Sequence, residues 1–146
     1  MDMRALFEKT AEKLTGKVIY VRFRYPPSRG SMGECYRTAD HLTHINIVPG
    51  LGIEKAYKIL LHETAHALLH VHDVAVTDTE ETASGSYVRV TEYPVYHADN
   101  REVEARALTE RWMQWADEKT KNVLKNENSD YMRVVGKLTA LQYYTR

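Results

Sequence analysis

The residues best suited to chemistry in this chain lie together at His62-Glu63-Thr64-Ala65-His66. Two histidines four apart on a helix project from one face, so both imidazoles can reach a single ion. Imidazole nitrogen is a favoured zinc ligand. The glutamate beside the first histidine then sits next to the metal without binding it. In that position it can take a proton from a water at the metal and pass it to a leaving amine. A chance match to H-E-x-x-H is expected roughly 0.03 times in a chain of this composition. Here the motif also lies in AYKILLHETAHALLH, an apolar stretch without glycine or proline. Histidine and glutamate in such a stretch are costly to bury without partners, and a metal supplies one.

A catalytic zinc usually has three protein ligands. His72 lies ten residues after His62, the third-histidine spacing of the long metzincin motif, but Leu69 stands where that motif has glycine. A glycine there lets the chain leave the helix sharply, and leucine resists the turn. The stronger source is the later segment NREVEARALTERWMQWA, which carries Glu102 and Glu104. At about 100° per residue, Glu104, Leu108, Trp112 and Trp115 fall within roughly 80° of one another. That phase puts Glu104 on the apolar stripe as the third ligand and turns Glu102 outward. Glu102 also fits a capping box with Asp99.

These groups need elements to hold them. Residues 2–15 have helical apolar spacing and end before Gly16. Residues 17–25 read as a strand stopped by Pro26 and Pro27, and residues 34–38 and 43–48 as two more. Helices are expected over residues 53–70, 99–119 and 131–144. Between the first two of these, residues 73–86 read as polar loop and residues 87–96 as strand-like. The expected class is α+β, with a small antiparallel or mixed sheet packed on the H-E-x-x-H helix and further helices, all one domain over residues 1–146.

The whole 146-residue composition limits the alternatives. Twenty basic and twenty acidic residues balance to zero net charge, which gives no electrostatic ground for nucleic acid or anionic membrane as a partner. No run approaches the ~18 apolar residues of a membrane span, and the charged N-terminal residues do not resemble a signal peptide. A cytoplasmic protein is the expectation. The lone Cys35 excludes an intramolecular disulfide and reads as a packed side chain. His41 and His44 read as surface histidines and His70 as a residue that supports a ligand or closes the helix; Tyr93 and Tyr96 read as packed core-edge residues, with donation to an oxyanion by Tyr93, Tyr96 or His97 the alternative.

ILLHETAHALLH followed by REVEARALTERW resembles the ImmA/IrrE family of small metallopeptidases, over about residues 18–115. The resemblance implies a compact, zincin-like (gluzincin-like) domain and zinc held by His62, His66 and Glu104, with Glu63 catalytic. It also implies a protein or peptide substrate, such as a regulatory protein, and an edge strand beside the site to align it. Residues 43–48 are the expected edge strand. Arg106 and Leu108 depart from the family's usual asparagine and phenylalanine, and residues 73–99 form an insertion foreign to the pattern. The rival class is a zinc-binding regulatory module without turnover, although Glu63 has no purpose in a purely structural site.

Overall fold

The computed structural model describes residues 2–25, 31–38, 40–70, 75–82, 85–92 and 98–145, with side chains described for residues 2–25, 31–38, 40–70 and 100–145. The elements run α1 (Met3–Thr15), β1 (Ile19–Phe23), β2 (Gly33–Thr38), β3 (Thr43–Ile47), α2 (Ile53–Leu69), β4 (Ala75–Thr82), β5 (Gly85–Glu92), α3 (Ala98–Thr120) and α4 (Asp130–Leu141). The fold is therefore α+β.

Local signals set the helix ends. Asp2 caps α1 by accepting the Arg4 amide, and Gly16 ends it in the left-handed region at φ 76°, donating its N–H to the Glu12 carbonyl. Ser129 accepts from the Met132 amide at the start of α4. Lys17 reaches across to donate to the Ala67 carbonyl at 2.6 Å, which satisfies an orphan acceptor in the last turn of α2.

The sheet is mixed, in the order β1-β3-β2-β4-β5. Strand β3 pairs parallel with β1 and antiparallel with β2, while β4 joins β2 in parallel from Tyr36 onward. The pairing registers place Cys35 opposite Ile45 and Val21 opposite Ile45 as well, so one face of the sheet is apolar. That face packs on α1 and α2. Phe7, Leu60, Leu61, Ile45, Ile47, Trp112, Val134 and Leu138 are all fully buried in one continuous core. Burial of such side chains stabilises by about 1.5–3 kcal/mol each.

Two expectations change. Strand β3 lies inside the sheet between β1 and β2, so it has no free edge for a peptide. Residues 75–82 form a strand, paired antiparallel with β5, where polar loop was expected. Acidic residues suggested loop, but the alternating valines and threonines of VAVTDTEET suit a pleated ribbon. No helix among the described residues is long and apolar enough to cross a membrane.

Candidate metal centre

Helix α2 has two working faces. Ala56, Tyr57, Leu60, Leu61, Thr64 and Ala65 are buried in the core. His62, Glu63 and His66 lie on the neighbouring face, toward β2 and the first turns of α3. Strand β2 comes close to the helix here because residue 33 is glycine. A Cβ on Gly33 would stand 2.4 Å from Ile59 Cγ2 and 3.3 Å from Glu63 Cγ.

His62 Nε2 and His66 Nε2 are 3.2 Å apart. Glu102 brings one carboxylate oxygen to each, Oε2 at 3.1 Å from His62 and Oε1 at 2.9 Å from His66. These donor atoms converge as a group able to hold a metal ion. Ligands at 2.0–2.1 Å from a tetrahedral zinc would be about 3.3–3.4 Å apart, so the observed separations need only a small opening to admit the ion. Two imidazoles and one carboxylate are also the donor set that suits zinc. The residues present fit the metal. The side chains remain partly open, with Glu102 at 43% and His62 at 26% exposure, so a small molecule can approach.

The surroundings shift the charges. Burial pushes the Glu63 carboxyl up to about 8, helped by the negative charges of Glu102 and then Glu34. Burial holds His66 well below the ordinary histidine value, with His62 and His70 adding to the effect and Glu102 opposing it. His66 is thus neutral and able to ligate at neutral pH. Burial raises the Glu34 carboxyl and also the Cys35 thiol, the latter with a contribution from Glu63. Cys35 is partly buried and packs against the core, as expected of a packed cysteine.

The structure thus brings His62 and His66 together and sets Glu63 beside them, but it replaces Glu104 with Glu102. Glu104 lies against His70, Oε2 to Nε2 at 3.1 Å. The phase argument failed because it took Trp115 as a marker of the stripe. The buried residues of α3 are Ala105, Leu108, Thr109, Trp112, Ala116 and Thr120, while Trp115 is only partly buried. Around that centre Glu102 is displaced by about 50° and Glu104 by about 110° in the opposite sense. Ala105 is the signal that would have corrected the phase. Ala105 is fully buried, and the two glutamates flank it around the helix. The capping-box role expected for Glu102 is displaced too, since α3 begins at Ala98 and the Glu102 carboxylate is engaged with the histidines.

His70 closes α2 as its C-cap and is buried. His44 is buried rather than superficial. Its ring stacks between Tyr36 at 5.1 Å and Tyr20 at 5.4 Å, on the sheet face away from the core. His41 is exposed, with a positive φ of 67°. His72, Tyr93, Tyr96 and His97 lie outside the described residues.

Comparison with family models, with curated proteins and with solved structures gives no match to this chain.

Proposed function

We propose that the chain is a zinc-dependent peptide hydrolase in which His62, His66 and Glu102 hold the metal and Glu63 acts as general base. The observation that carries this reading is the convergence, within 2.9–3.2 Å contacts, of two imidazole nitrogens from the helix that also presents Glu63 and one carboxylate from α3. A zinc held by these residues would supply a Lewis acid for the scissile carbonyl and a lowered pKa for an attacking water. Glu63, next to His62 on α2, would be the group to take a proton from that water and return it to the departing amine. The raised proton affinity of Glu63 belongs to the metal-free chain; a dication beside it would favour the ionised form that a general base needs. Strand β2 is the element that would align a substrate. Among the described residues, β4 pairs with β2 only at Tyr36–Thr38, leaving Gly33, Glu34 and Cys35 without a strand on the side away from β3. An extended peptide added at that edge would lie beside Glu63.

The resemblance to the ImmA/IrrE family points the same way, to a zincin-like domain in the cytoplasm that cleaves a regulatory protein. The test is digestion of an unstructured peptide mixture by zinc-loaded protein, with new termini identified by mass spectrometry. New termini are expected from the native chain and not from Glu63→Gln. Equal cleavage by both proteins would overturn the reading.

A further inference from the structure

The two ring nitrogens of His66 have separate partners. Nε2 faces His62 and Glu102, as described above. Nδ1 lies 3.1 Å from Nδ1 of His70, whose Nε2 in turn lies 3.1 Å from Glu104 Oε2. His62, His66 and His70 follow one another at four-residue intervals, with ring centroids 4.8 and 5.2 Å apart. His70 is 6% exposed, and its backbone N–H is tied to the His66 carbonyl.

We propose that His70 and Glu104 are positioning residues, a chain of hydrogen bonds that locks His66 in the tautomer that binds zinc. The proposal rests on the zinc reading above. Proton counting fixes its direction. A neutral imidazole carries one N–H. Zinc on His66 Nε2 leaves the proton of that ring on Nδ1. This N–H donates to His70 Nδ1, which must therefore be bare. The His70 proton is then on Nε2, where it donates to the Glu104 carboxylate. With His70 in the other tautomer, two N–H groups would oppose each other at 3.1 Å and Glu104 would face a lone pair. The arrangement orients the ligand ring and raises its basicity through the carboxylate at the far end. It also gives each glutamate of the Glu-x-Glu pair a task, Glu102 at the metal and Glu104 behind it.

Two measurements decide the matter. In the zinc-loaded protein, long-range proton–nitrogen NMR correlations should show His70 with its proton on Nε2 and His66 with its proton on Nδ1. Zinc affinity, measured by competition with a chromophoric chelator, should fall about 10–100-fold in His70→Ala. His70→Gln, whose amide oxygen can accept the same bond, should recover part of that loss. Glu104→Gln should bind more tightly than Glu104→Ala. A His70 proton on Nδ1, or a His70→Ala affinity within about twofold of native where the minimum expected is tenfold, would overturn the chain. If His70→Ala does not fold, the tautomer assignment and the Glu104 pair decide. Native protein that binds no zinc would instead defeat the metal reading itself.

Discussion

Gly33→Ala probes the close contact on which the site geometry depends. The added methyl would lie 2.4 Å from Ile59 Cγ2 and 3.3 Å from Glu63 Cγ. Carbon atoms in contact normally sit about 3.5–4.0 Å apart, so strand or helix must give by about 1 Å. Ile59 has little freedom to turn aside, because a β-branched side chain in a helix has one strongly preferred rotamer. Overpacking of this kind costs about 1–3 kcal/mol. Loss of a glycine from the unfolded chain works the other way by about 0.4–1 kcal/mol, so the net effect should be destabilising. Urea denaturation of metal-free protein measures it. Ile59→Ala removes the offending Cγ2, and in that background Gly33→Ala should cost less than about 0.5 kcal/mol, giving a coupling of about 1 kcal/mol or more. An equal cost in both backgrounds would refute the contact, and with it the account of how β2 reaches Glu63.

Further outcomes follow from the same geometry. Glu63→Gln should keep zinc and fold while lowering hydrolysis by about 10²–10⁴, since the amide cannot accept the proton; steady-state kinetics on any cleaved peptide checks this. At pH 6 the metal-free Glu63, with its carboxyl pushed up to about 8, is protonated. A nearby dication favours its ionised form, so zinc binding should release about one proton more from native protein than from Glu63→Gln. Calorimetry in buffers of different ionisation enthalpy reads the difference, and identical proton release would contradict the placement of Glu63. Ser129→Ala should cost about 0.5–2 kcal/mol in thermal or urea unfolding if the α4 cap is formed in solution.

The helix that carries His62, Glu63 and His66 was legible because its information is local. Histidine spacing, apolar surroundings and the absence of breakers all fall within one stretch of α2. The carboxylate that meets the two histidines was less legible, because its place depends on the rotational setting of a second helix against the first. Large aromatic residues seemed to mark that setting, yet Trp115 lies at the margin of the stripe and Ala105 at its centre. Strand β3 could be recognised as a strand, but its neighbours could not, since sheet order is a long-range property. His44 read as a surface histidine, whereas every residue of β3 is buried. The stacking of His44 between tyrosines of β1 and β2 depends on pairing registers that spacing within β3 does not encode.

Zinc content after mutation of each glutamate of α3 tests the central claim most directly. Native chain, Glu102→Ala and Glu104→Ala would be purified without chelator, checked for fold by circular dichroism, and analysed for metal. The native chain and Glu104→Ala should each hold about one zinc, as a three-ligand site does, while Glu102→Ala should lose it. Zinc retained by Glu102→Ala and lost from Glu104→Ala would contradict the metal centre of His62, His66 and Glu102.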